Sequence, residues 1–124
     1  MKYVFTLIAV GLIAGCNINR DKIKDFIPGT YVADYEQEYS KGHDTLVFGS
    51  VSKDGNSYTI IRKTSYRRKI NGKMGQREQK NEQMTGIYNE QDKVIYESTK
   101  GEIFSFSPEK NFVLSGTLQY KKIY

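Results

Sequence analysis

The sequence predicts an all-β fold, an antiparallel up-and-down meander of seven to eight strands whose simplest closed form is a small barrel. Apolar and aromatic residues alternate with polar ones along successive segments, and no apolar pattern of helical spacing and helical length competes with them. Turn pairs such as Asn71-Gly72 and Lys100-Gly101 punctuate these segments at short intervals. The composition agrees: 10 Tyr, 6 Phe and 11 Gly with 2 Pro in 124 residues are too aromatic for a disordered chain and too turn-rich for a helical bundle. A meander of neighbouring strands removes its two free edges by closing on itself.

The first element stands outside that fold. Met1 and Lys2 lead into an apolar run over residues 3–14, broken only by Thr6 and Gly11. As a helix it would reach about 18 Å, short of a bilayer core of about 30 Å. A positive start, an apolar middle and a small-residue end make residues 1–15 an expected export signal. Its removal would leave 109 residues. Residues 16–25 read as a polar tether with a short helical turn at Lys22 to Phe26, and residues 26–124 as one domain burying about 60 to 65% of its unfolded surface.

From Tyr31 the pattern has period two, placing Tyr31, Ala33, Tyr35 and Tyr39 on one side of a strand and Asp34, Glu36 and Glu38 on the other. Lys41-Gly42 is the expected turn into a second strand over residues 44–51, where Leu46 and Phe48 alternate with Val47, and Asp54-Gly55 the turn out of it. Residues 57–70 form a long third strand rich in β-branched and aromatic side chains, closed by Asn71-Gly72, the pair most favoured for a tight hairpin. The return strand is polar over residues 73–83 and apolar over 84–88. Residues 89–92 turn into a strand over 94–98, Lys100-Gly101 into 102–106, and residues 107–111 into a last strand over 112–120.

Ile13-Ala14-Gly15-Cys16 resembles the lipobox of bacterial lipoproteins, an aliphatic residue and two small residues before a cysteine. The resemblance implies a diacylglyceryl thioether on Cys16, cleavage before it and acylation of the new N-terminus, so that two or three chains anchor the protein to a membrane. Asn17 stands where aspartate would favour inner-membrane retention, which points to the outer membrane, and residues 17–25 lack an acidic surface-export cluster, which points to its periplasmic face. Ile27-Pro28-Gly29-Thr30-Tyr31 resembles the entry to the first strand of lipocalin-like barrels, with Tyr31 in the place of that family's Trp. The chain as a whole is similar to small lipoproteins of Bacteroidota-type envelopes, some encoded on conjugative elements. The likeness rests on Phe26-Ile27-Pro28-Gly29-Thr30-Tyr31, Asp44-Thr45-Leu46 and Ser105-Phe106-Ser107-Pro108-Glu109-Lys110. It implies a compartment and no activity.

Charge is the most uneven property of the chain. Nineteen Lys and Arg against 14 Asp and Glu give +5 overall, yet Arg62, Lys63, Arg67, Arg68, Lys69, Lys73, Arg77 and Lys80 face only Glu78 within residues 62–80, a local +7. The rest of the chain is therefore net acidic, and the basic excess belongs to one hairpin around Asn71-Gly72. Such an arm keeps a long edge from aggregating, or binds anions: an acidic protein, lipid head groups or a polyanionic glycan. Nucleic acid is disfavoured by export, despite Tyr58 and Tyr66 on the same strand. Arg67, Arg68 and Lys69 are the foremost candidates for contact.

Enzyme chemistry finds little support. A single Cys and a single His exclude a disulfide scaffold and a structural zinc site. His43 beside Asp44 lacks a nucleophile or second carboxylate at readable spacing, and no phosphate loop or nucleophile elbow occurs, so no cofactor is expected. Tyr31, Tyr35, Phe104, Phe106 and Tyr120, with Tyr39 and Phe112, form the core or line a cavity for one small apolar ligand. Two functions follow as expectations. One is a lipid-anchored, non-enzymatic binding or assembly module acting through the basic hairpin, accessory to an envelope or conjugative-transfer apparatus. The other is a lipocalin-like carrier of a hydrophobic ligand.

Overall fold

Alternation of large apolar with polar residues folds into strands that share one inner face, and a computed structural model describes the result for residues 22–50 and 55–124. The export signal, Ile13, Ala14, Gly15, Cys16, the first part of the tether and Asp54 lie outside the described residues. A short helix, α1 (Lys22–Phe26), stands at the helical turn expected there. Eight strands follow: β1 (Gly29–Glu36), β2 (Ser40–Ser50), β3 (Ser57–Ile70), β4 (Lys73–Asn89), β5 (Val94–Glu97), β6 (Ile103–Ser107), β7 (Phe112–Ser115) and β8 (Leu118–Lys122). Each pairs antiparallel with its neighbour in sequence, and β8 returns to β1, closing the barrel.

The interior is a stack of side chains from alternate positions. Tyr31, Leu46, Phe48, Ile60, Tyr88, Ile95, Phe104 and Val113 are almost wholly buried. Phe48 is the centre of an aromatic cluster, meeting Tyr31, Phe104 and Phe106 edge-on at centroid distances of 5.4, 5.3 and 5.2 Å. Ile27 and Phe26 close the floor: Ile27 is fully buried, and Phe26 meets Tyr31 and Phe106 edge-on. Tyr31 donates its hydroxyl hydrogen to the Phe26 and Ile27 carbonyls, satisfying a phenol that burial would otherwise penalise.

Three expectations need correction. The first turn lies at residues 37–39, with the Gln37 N–H bonded to the Ser40 carbonyl. Lys41-Gly42 is strand, because a Cβ at residue 42 would lie 2.7 Å from both the Ser65 carbonyl oxygen and the Tyr35 hydroxyl, so glycine here serves close approach and not a bend. Tyr39 consequently leaves the inner face and is 71% exposed, and His43 sits on β2 and not in a loop. The segment over residues 112–120 is two strands, since Gly116, with a φ of 60°, turns the chain between β7 and β8. That turn supplies the strand that reaches β1.

Among the described residues, the turns at Asn71-Gly72, residues 89–92, Lys100-Gly101 and residues 107–111 form where expected. Asn71 and Gly72 both take positive φ, 51° and 76°, the geometry that fits the twist of a two-residue hairpin. Asn89 accepts hydrogen bonds from the Gln91 and Asp92 N–H groups in the next turn. In the turn after that, the buried Glu97 carboxylate accepts from the Thr99 and Lys100 N–H groups. Burial pushes its pKa up, and these backbone donors more than reverse that, holding it below the ordinary carboxylate value.

Candidate functional site

Strand lengths differ, and the difference builds the site. β5 to β8 have four or five residues each, whereas β3 has 14 and β4 has 17. β3 and β4, flanked by β2 and the end of β1, therefore continue past the mouth of the barrel. From Arg62 to Ile70 the extension rises roughly 26 Å at about 3.3 Å per residue.

Its inner face begins with an ion network set in the mouth. Arg62 donates two parallel hydrogen bonds of 2.8 Å to the Glu102 carboxylate, and its Nε faces Asp44 Oδ2 at 3.4 Å. Asp44, itself buried, accepts hydrogen bonds from the hydroxyls of Thr64 and Tyr120. Ser115 donates to Glu102. The Arg62 hydrogen bonds hold Glu102 below the ordinary carboxylate range and, from the other side, raise the guanidinium further. Burial, with Asp44 second, raises the Tyr120 phenol. Beside the network Glu82 is bonded to Lys100 and Lys80, and the Lys100 bond lowers its pKa most. Above it, Tyr35, Tyr66 and Arg68 line an open concave surface, Arg68 paired with Glu78 at 3.0 Å and lying over the Tyr66 ring.

The outer face is different. Register places Glu36, Lys41, Arg67 and Arg77 in one cross-strand row, and Thr45, Lys63 and Asn81 in another nearer the barrel. Glu36 is taken by Lys69, whose Nζ lies 2.9 Å from its Oε2 and 3.1 Å from the Gln37 carbonyl, tying the arm to the first turn. Arg67 Nε donates to the Gly75 carbonyl and Arg77 to the Ser65 hydroxyl. Among the described residues no carboxylate lies within 4 Å of Lys41, Lys63, Arg67, Lys73 or Arg77. His43 Nδ1 lies 2.7 Å from Asp34 Oδ1 in the next row, with both side chains exposed. Asp34, Glu36, Lys41, His43, Arg67 and Arg77 line a shallow groove of about 560 Å³.

The eight basic residues of residues 62–80 are thus divided. Arg62 belongs to the mouth network, its side chain 13% exposed, and is not part of an outward surface. Arg68 and Lys80 face inwards with carboxylate partners, and Lys69 is bonded to Glu36. Lys63, Arg67 and Arg77 face outwards, and Lys73 is exposed at the tip. Lys41 joins them, a residue that strand parity pointed to once β2 begins at Ser40. Asp44 shares the parity of Leu46 and Phe48, so its inward direction was also readable, but Glu102 and Tyr120 as its neighbours were not. The proposed cavity residues Tyr31, Phe104, Phe106 and Tyr120 are buried among one another and their neighbours, and Tyr35 lies half-buried above the mouth network.

Against protein-family models, curated proteins and solved structures, the chain has no significant match.

Proposed function

We propose that the protein is a lipid-anchored, non-enzymatic binding or assembly module of the cell envelope. Its contact surface is the outward face of the β1–β4 extension, and its partner is an anionic protein, lipid or glycan. The observation that carries this reading is the row Lys41–Arg67–Arg77, with Lys63 two outer rows nearer the barrel, beyond that of His43. Like charges directly opposite in a sheet destabilise it, and the one carboxylate of the row, Glu36 beside Lys41, is bonded to Lys69, so three cations in line without an ion-paired carboxylate are poor material for a merely solvated strand. An anion laid across the row would offset the repulsion. The anchor rests on the lipobox resemblance at Cys16, as do the outer-membrane location and its periplasmic face. The close edge-to-face packing of the core rings supports a binding surface over a carrier's cavity.

The test is crosslinking capture from the native envelope by the wild-type protein and by a Lys41→Gln, Arg67→Gln, Arg77→Gln variant. Lys93→Gln, Lys110→Gln, Lys121→Gln serves as an equal charge change elsewhere. The first variant should lose the captured partner while melting at or above the wild-type temperature, and wild-type capture should weaken with salt. A partner list that neither the row nor salt alters would overturn the reading.

A further inference from the structure

β4 pairs with β5 only over residues 86–89, and the Ser98 N–H takes the Thr85 carbonyl. Over residues 73–84 β4 has β3 on one side and, among the described residues, no strand on the other. That is a long stretch of unpaired edge for a natural sheet. An edge of this kind takes an added strand, main-chain hydrogen bonds supplying attraction and facing side chains selecting the partner.

The order of side chains along this edge is complementary to itself. A two-fold axis normal to the sheet at Gln79 sets antiparallel neighbours at equal distances from residue 79. Glu78 then lies opposite Lys80 of the second copy, twice by symmetry, and Arg77 opposite Asn81. Glu78 and Lys80 share the inner face, opposite Tyr66 and Thr64 of β3, as a facing pair must. An axis at residue 78 or 80 would set Glu78 or Lys80 against its own copy, and the latter would also oppose Glu78 to Glu82. The ladder ends at Gly75 and Gln76, which together oppose the single residue Arg68 in a bulge.

A second, independent observation selects the same axis. It carries Asn71 of one copy to the level of Ile87 in the other. There Ile87, Tyr96 and Ile103 form one cross-strand row on the outer wall, 57, 39 and 48% exposed. The arriving tip bears Met74 on its outer face and Ile70 on the opposite one, 38 and 61% exposed. An axis at Asn81 would also pair Lys80 with Glu82, but it carries the tip past this row.

We infer that β4 is the dimer edge of this protein: two copies join through residues 77–81 about a two-fold axis at Gln79, and each arm tip covers the Ile87–Tyr96–Ile103 row of the other. The contact is isologous and closes on itself, so it makes dimers and not fibres. It stands whether or not an anionic partner exists, and it would place the two basic outer faces side by side.

The test uses the full chain in detergent with Cys16→Ser, leaving one engineered thiol. In Gln79→Cys, facing Cα atoms of a two-stranded ladder would lie about 4.5 to 5.5 Å apart, within disulfide reach, and mild oxidation should give a covalent dimer. Adding Glu78→Lys or Lys80→Glu should cut the yield at least roughly tenfold, the effect of about 1.4 kcal/mol. Mixing those two variants should restore it, because lysine then faces glutamate at both positions. Absence of a Gln79→Cys dimer at an unchanged melting temperature overturns the inference, as does a dimer indifferent to both reversals. Crosslinking between Gln79→Cys and Gln83→Cys in place of the symmetric pair overturns the register. A Glu109→Cys variant should stay monomeric.

Discussion

Arg62 on β3 and Glu102 at the entry to β6 are joined by two parallel hydrogen bonds across 40 residues of chain. The pair spans the mouth of the barrel from the long side to the short side, and Asp44 and Tyr120 complete the span from β2 and β8. Four strands are thus tied at one level by charge, above a level tied by aromatic packing.

Removing one end of that pair should cost more than removing both. Arg62→Met leaves Glu102 and Asp44 without their cation and should destabilise by about 3 kcal/mol, the scale for stranding a buried charge. Arg62→Met with Glu102→Gln should recover a good part of it. Urea unfolding of the two single variants and the double variant measures the coupling.

Acid should act through the same network. Glu102 is held below the ordinary carboxylate value, near 4.5, by the Arg62 hydrogen bonds and against the upward push of burial. Glu82 is lowered chiefly by the Lys100 hydrogen bond. A carboxylate lowered in the folded state contributes stability that is fully present above its unfolded value and lost as pH falls through the folded one. The melting temperature should therefore show no loss from these groups between pH 7 and about 5, and a loss below roughly 4.5. The Arg62→Met, Glu102→Gln variant should lose less over the same interval, as calorimetry across a pH series would show.

Phe48 touches three other rings, so Phe48→Ala empties the centre of the barrel. A loss of about 3 to 5 kcal/mol is expected, a large part of the roughly 5 to 15 kcal/mol that holds a domain of this size folded. The urea midpoint should fall accordingly. A much smaller shift would show that neighbouring side chains collapse into the space.

Two glycines separate two kinds of constraint. Gly42→Ala drives a methyl group against the Ser65 carbonyl oxygen and the Tyr35 ring and should cost about 2 to 3 kcal/mol. Gly72→Ala meets nothing within 4 Å but keeps a φ of 76° and should cost only about 1 kcal/mol. Thermal melts of the two variants should rank them in that order.

The hairpins were legible because their turns are local: Asn71-Gly72 and Lys100-Gly101 state their geometry in two residues, and the strand limits of β3 followed directly. Gly42 misled because a glycine needed for close approach looks, in a sequence, like one needed for a bend. Gly116 carries no comparable sign, because Ser115-Gly116-Thr117 interrupts an apolar segment without Asn, Asp or Pro to mark it. For the site, the concentration of charge in residues 62–80 was plain, but its division between two faces was not. Alternation sends Arg67 and Arg68 to opposite sides, and only register shows that Lys41 completes the outer row or that Glu102 waits opposite Arg62.

The seam between β8 and β1 has a consequence for the order of folding. Every other ladder joins neighbours in sequence, each closing a short loop at small entropic cost, so the sheet can form by local steps from any hairpin. Tyr31–Lys122 and Val32–Lys121, with the Ile123 N–H bonded to the Thr30 carbonyl, join segments some 90 residues apart, and the Tyr120–Asp44 bond lies beside them. Closure at this seam would come late and reopen first, and amide exchange at Val32 and Lys121 would outpace that along β2 and β3.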